Sequence, residues 1–216
     1  MQIIVYTPEH LIENEISLIS EIMDAGADYL YIRKPELDDF SLVDYVESIP
    51  DRFWSKCIST SLIIVKEFNL AGYHFTREII QKNAAYNNKV QQWLKENKLI
   101  ASVSAHSLDE IKIFAGGFDH VLIAPVFESL SKEDHRKNWN YKALHEILGN
   151  LRVPHATEPD ANPSSCFFAV GGVDATKISE IKALHFDGFA LLGALWNEPG
   201  NAVNNFNQIL HYVQDK

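Results

Sequence analysis

Cysteine is scarce in this chain: Cys57 and Cys166 are the only two among 216 residues. Two thiols build neither a disulfide framework nor a metal cluster, and each sits inside an apolar strand-like run, which predicts core packing for both. Long hydrophobic runs are missing too. No stretch approaches the roughly 20 apolar residues of a membrane span. The opening MQIIVYTPEH has neither the basic flank nor the cleavage site of a signal peptide. A cytoplasmic protein without membrane contact is the expectation. Positive charge is in deficit as well, with 19 Lys and Arg against 29 Asp and Glu and a formal charge of -10. Nucleic acid is therefore not an expected partner, because its phosphates call for a basic face. An anionic substrate would have to be met by a few local cations acting against that field. No linker or low-complexity tract divides residues 1–216, so one domain is expected.

What the chain does have is a balance of 46% hydrophobic and 22% charged residues, enough to bury a full core. Apolar runs at 3–6, 28–33, 57–60, 72–75, 99–104, 120–124, 166–171 and 188–193 read as eight strands. Several are apolar almost throughout, as suits a parallel sheet covered on both faces. Helical patterns lie between them. Ile12, Ile16, Ile19 and Met23 share a face ahead of a C-cap at Gly26. Ser107 and Glu110 form a capping box, Asp174 can cap a helix carrying Ile178, Ile181 and Leu184, and Val203, Phe206, Leu210 and Val213 mark the last helix. Eight strand–helix units in a chain of this length predict an α/β fold, the (β/α)8 TIM barrel, with a doubly wound open sheet as the alternative. The Pro-, Asn- and Ser-rich stretch 153–165 reads as a long loop entering the seventh strand from the N-terminal face.

A barrel carries its chemistry on the loops that follow the strands. Those loops hold Arg33 and Lys34 after the second strand, His74 and Glu78 at and after the fourth, Ser104 and His106 after the fifth, and Ser129, Ser131 and Lys132 after the sixth. Gly171 and Gly172 follow the seventh and Gly193 the eighth, where backbone N–H groups can approach a phosphate at a helix N-terminus. Each has a plainer reading beside it. Arg33, Lys34 and Lys132 could be solvated cations, the glycine pair a tight turn, and His74 and His106 a strand-end hydrogen bonder and a neighbour of a helix cap. Phe53, Trp54, Trp93 and Trp139 read as packing residues.

The motifs YIRKP, GYHFTRE, SVSAHSLDE, DHVLIAPVFESLSK, FFAVGGV and GFALLGALW, in this order across nearly the whole chain, resemble the thiamine phosphate synthase/TenI family. The resemblance implies a transferase that joins a pyrimidine diphosphate to a thiazole phosphate and releases pyrophosphate with the help of magnesium. It implies that Arg33 and Lys132 act on the pyrophosphate. Ser104, Ser129 and Ser131, together with Lys132, would surround the phosphate groups, and Gly171, Gly172 and Gly193 would cradle the thiazole phosphate; Lys34, beside the family's lysine position, is a further candidate for substrate binding. Small phosphorylated substrates are the implied partners.

The chain also departs from the pattern. Tyr31 stands where family synthases have Gln, and Pro35 where they have Lys. Thr60, Ser61 and Ile79 stand near the places of metal-binding acids, leaving Glu78 as the nearest carboxylate for Mg2+, with Glu36, Asp38 and Asp39 as substitutes. Related thiazole tautomerases have a histidine where this chain has Pro125. A tautomerase would need His74 or His106 as its proton shuttle, and a barrel that binds thiazole or thiamine phosphate without turnover is a further alternative.

Overall fold

The computed structural model describes residues 1–127, 139–151 and 165–214. Eight parallel strands pair in chain order and close into a barrel: β1 (Gln2–Tyr6), β2 (Tyr29–Ile32), β3 (Cys57–Ser59), β4 (Gly72–Phe75), β5 (Ile100–Ala105), β6 (His120–Ile123), β7 (Cys166–Val170) and β8 (Gly188–Leu191). β8 returns to pair with β1, so the open-sheet alternative does not apply. Outside them lie α1 (Glu15–Ala25), α2 (Asp39–Ser48), α3 (Leu62–Glu67), α4 (Arg77–Lys82), α5 (Ala84–Glu96), α6 (Leu108–Phe114), α7 (Tyr141–Leu151), α8 (Ile178–Ala183), α9 (Gly193–Trp196) and α10 (Ala202–Gln214). None of these is long and apolar enough to cross a membrane.

Strand side chains alternate between two cores, which explains why the strands lack a polar face. Ile3, Val5, Leu30, Tyr73, Val103 and Phe167 pack outward against the helices. Ile4, Tyr31, Ile58, Leu122, Phe168 and Ala190 fill the barrel. Cys57 belongs to the outer core, and its burial raises the thiol pKa to about 12. Cys166, half-buried, packs on the inner core. Phe53 is buried, and Trp54, Trp93 and Trp139 pack against the outer core.

The expected caps are present. Gly26 ends α1 at a positive φ of 124°, Ser107 Oγ accepts from Glu110 N–H at the start of α6, and Asp174 accepts from Thr176 N–H in the turn leading into α8. Of the stretch 153–165 only Ser165 is among the described residues. It is buried, donating to the Phe118 carbonyl and accepting from Gly116 N–H.

One repeated device escaped the sequence reading. The residue just before each even-numbered strand donates its N–H to the strand ahead of it: Asp28 to Ile3, Ala71 to Cys57, Asp119 to Ala101 and Asp187 to Phe167. Three of the four are aspartates, and each carboxylate accepts the N–H of that same partner residue, at 2.7 Å for Ile3 and 2.8 Å for Ala101 and Phe167. In β1, β5 and β7 the donor of the second residue is thus satisfied by a charged acceptor, the stronger kind of hydrogen bond.

The barrel floor is also sterically tight. A Cβ on Gly188 would lie 2.2 Å from the Gln2 carbonyl and 2.8 Å from the Phe168 ring. Gly188→Ala is therefore expected to destabilise the protein by about 1–3 kcal/mol, the usual cost of overpacking. A lower urea midpoint is the expected result. An unchanged midpoint would show that β1 can yield.

Candidate functional site

The strand alternation separates two neighbours that look alike in sequence. Arg33 follows Tyr29 and Tyr31 on the inward register, and its charge acts on Tyr6 and His74, both inward-facing. Its side chain is 49% exposed, and the guanidinium pairs with Glu9 at 2.9 Å. The backbone below is held from β1's end: Thr7 Oγ1 accepts from Arg33 N–H at 2.9 Å and donates to the Arg33 carbonyl at 3.2 Å.

Lys34 turns the other way. Its side chain is 0% exposed, and its ammonium donates to Glu15 and to the His10 carbonyl while lying over the Tyr45 ring. Tyr45 donates to the same Glu15 carboxylate. Burial lowers the Lys34 pKa, with Glu15 acting in the opposite sense. The expectation that Lys34 binds substrate is thus corrected: its charge is consumed by Glu15 in the layer between strands and helices. Lys34→Met would leave the Glu15 carboxylate buried without its counter-charge and is expected to cost about 3–5 kcal/mol of stability. Denaturant unfolding measures this, and a loss below about 1 kcal/mol would mark the pair as solvated.

Inside the barrel a hydrogen-bonded series climbs towards the strand ends. His120 Nδ1 lies 3.0 Å from Tyr31 Oη, which lies 2.9 Å from Ser102 Oγ. Ser102 Oγ lies 2.9 Å from His74 Nδ1, and His74 Nε2 lies 3.3 Å from Ser104 Oγ. Register explains the assembly: His74 pairs beside Ser102, and Ser102 beside His120, on strands whose alternate residues face inward. Burial lowers both histidine pKa values to about 4, with Arg33, His120 and His106 adding to the effect at His74. Both imidazoles are neutral at physiological pH. His74 and Ser104 are thus brought together, whereas His106 is held apart, its Nδ1 2.8 Å from the Ala124 carbonyl and its N–H donating to Glu110.

The histidine shifts carry a sign. The unfolded chain takes up protons near the ordinary value of 6.5, while the folded chain waits until about 4. Their contribution to stability is therefore full above 6.5 and lost as the pH falls towards 4. The slope of unfolding free energy against pH across this window should flatten in a His74→Gln/His120→Gln variant; an unaltered slope would assign the acid sensitivity to other groups.

After β7 the glycines have distinct roles. Gly171 has φ 91°, and a Cβ there would meet the Pro125 Cβ at 2.8 Å. Its carbonyl accepts from Phe127 N–H. Close packing of the β6 and β7 ends thus already requires glycine at 171. Gly172, at φ 62°, and Gly193, the first residue of α9, stand at the ends of β7 and β8. Trp139 and Tyr141 donate to the Pro125 and Val126 carbonyls. Ser129, Ser131 and Lys132 lie outside the described residues.

Glu78 does not fit a metal site. Its side chain is 81% exposed and pairs with Lys82 one turn along α4. Among the described residues no three His, Cys, Asp or Glu side chains converge as ligands. Magnesium is usually held by one or two carboxylates together with substrate phosphates, and Glu78 turned to solvent beside Lys82 is not placed to be one of them.

A family model described as thiamine monophosphate synthase matches residues 3–195. No curated protein sequence matches the chain. Among solved structures, a thiamine phosphate pyrophosphorylase from Bacteroides thetaiotaomicron superposes with a TM-score of 0.74 at 21% identity, covering 99% of this chain and 98% of that one. A thiamine phosphate pyrophosphorylase from Pyrococcus furiosus gives 0.70 at 14%, covering 99% and 95%. A 3-hexulose-6-phosphate synthase gives 0.65 at 10%, covering 98% and 99%. At these identities the superpositions establish the shared barrel.

Proposed function

Because the chain belongs to the thiamine monophosphate synthase family, we propose that its barrel joins hydroxymethylpyrimidine diphosphate to a thiazole phosphate and releases pyrophosphate. The observation that carries this reading is the placement of Arg33. Its backbone is fixed by Thr7, its side chain is half exposed above the inner barrel, and its partner Glu9 is a half-buried carboxylate that an anion would have to displace. Cleavage of the pyrimidine-to-oxygen bond leaves the electron pair on pyrophosphate and a cation on the pyrimidine methylene, which the thiazole nitrogen captures. A guanidinium meets the departing oxygens bidentately, as a lysine cannot. Pro125 supports the same reading, since the tautomerases this family resembles have histidine there.

Synthesis of thiamine phosphate from the two substrates, assayed with and without magnesium, tests the proposal. Arg33→Ala is expected to lower turnover about 100- to 1000-fold, the scale for losing one transition-state donor, with Arg33→Lys failing to restore it. Glu9→Gln is expected to tighten pyrophosphate binding by up to about fivefold, because an ion pair open to solvent on its Arg33 side offsets at most about 1 kcal/mol. Glu78→Gln should leave turnover unchanged.

One observation favours a second reading. Neutral His74 against Ser104 could shuttle a proton on a bound thiazole phosphate, as an isomerase requires. Conversion of a thiazole phosphate without any pyrimidine diphosphate would support it. Tight binding of either product with no turnover would favour a barrel that only binds.

A further inference from the structure

The inner series of hydrogen bonds has two ends, and they open on opposite faces of the barrel. Ser104 lies at the C-terminal end of β5, partly exposed, with His74 half-buried beside it. His120 begins β6 and lines a cavity of about 580 Å³ at the N-terminal face, together with Tyr29, Lys95, Lys98 and Asp119. Between them Tyr31 and Ser102 are buried. Every member is a hydroxyl or an imidazole, groups that can donate on one side while accepting on the other.

We propose that His120, Tyr31, Ser102, His74 and Ser104 form a proton relay that takes a proton from solvent hydronium at the N-terminal cavity, leaving neutral water there, and delivers one to the departing pyrophosphate at the mouth. The purpose of the relay rests on the synthase reading above; its existence does not. The transfer balances. Ser104 gives its hydroxyl proton to a pyrophosphate oxygen and is refilled from His74 Nε2. His74 Nδ1 is refilled from Ser102, Ser102 from Tyr31, and Tyr31 from His120 Nδ1. His120 Nε2 takes up the entering proton. One proton enters, one leaves, and each member ends neutral with its hydrogen bonds reversed.

Neutral members suit this task. Burial holds both imidazoles well below their ordinary pKa and raises the Tyr31 phenol, so no resident charge is trapped in the chain. Arg33 and His106 act on His74 from the mouth side, and Tyr6 and Tyr29 on Tyr31 from its neighbours, while the Tyr29 and Phe168 rings flank His120. None of these is a carboxylate that would fix a proton on either histidine. Ser104 is the residue that would touch substrate; the other four act through it.

The geometry imposes a rule on the tautomers. If every link donates in one sense, His74 protonated on Nε2 requires His120 protonated on Nδ1, and the reverse sense requires His74 on Nδ1 with His120 on Nε2. Nitrogen-15 spectra of histidine-labelled protein, assigned with His74→Gln and His120→Gln, read this directly. The ligand-free protein should show the two rings protonated on opposite nitrogens. The same nitrogen on both would overturn the relay whatever the protein binds.

Inorganic pyrophosphate then probes the coupling. An anion accepting from Ser104 should set the whole series towards the mouth, moving the proton of His74 to Nε2 and that of His120 to Nδ1. In Tyr31→Phe, or in Ser102→Ala should the first variant fold poorly, His74 should still respond and His120 should not. A His120 response that survives the cut would overturn the relay. Calorimetry that detects no pyrophosphate binding would instead remove the synthase reading, with the relay still decided by the ligand-free spectrum.

Discussion

Closing eight parallel strands leaves a narrow interior in which any polar atom must find its partner among the other strands, because an unpaired buried group costs more than its hydrogen bond contributes. That constraint organises this barrel. Tyr31, Ser102, His74 and His120 come from four different strands and satisfy one another across the interior. Apolar residues fill the rest: Ile4, Ile58, Leu122, Phe168 and Ala190. The tyrosine at 31 is the hub, since its hydroxyl reaches both Ser102 and His120. In sequence Tyr31 reads only as a departure from the glutamine of the resembled synthases; in the structure it serves as the interior's central link.

The same alternation that builds the interior also sorts the charges. Arg33 and Lys34 are consecutive, so one must face the inner register and the other the helix layer. The inner place is half open at the strand end, and its cation keeps a half-buried partner in Glu9. The outer place is closed, and its cation needs a permanent partner, which Glu15 of α1 supplies together with the Tyr45 hydroxyl of α2. The two lysine and arginine environments differ in solvent access rather than in charge, and that difference determines which of them a diphosphate can reach.

Much of the fold was legible because each element writes its own signal locally. The eight strands are apolar runs, and Gly26, Ser107 and Asp174 cap their helices through short-range bonds visible in a window of a few residues. The site was legible only in part. Arg33, His74 and Ser104 sit at strand ends and could be named from position. Lys34 was misplaced because grouping two cations ignored the period of two. Glu78 was misplaced because the second residue of α4 lies on that helix's exposed face, beside Lys82, a relation set by helical rotation and not by distance along the chain. The aspartate clasps and the inner series were not legible at all: the clasps join neighbouring strands through their register, and Tyr31 on β2 reaches Ser102 on β5 and His120 on β6 across the interior, relations that no local pattern encodes.

The two ends of the barrel therefore carry different obligations. The N-terminal end is where Asp28, Asp119 and Asp187 tie the strand starts and where Gly188 admits the Gln2 carbonyl, features that serve closure. The C-terminal end holds Ser104 on the β5–β6 ladder and Arg33 in the residue just past β2, tied to Thr7. A polar interior joins the two, at a cost in apolar burial that a core of aliphatic residues would have avoided. Such a cost is sustained most readily where the polar groups also act: placing neutral imidazoles and hydroxyls in an interior buried at its middle and open at its two ends gives a proton a defined path while keeping charge out of the core, which neither a wholly apolar interior nor a buried ion pair could do.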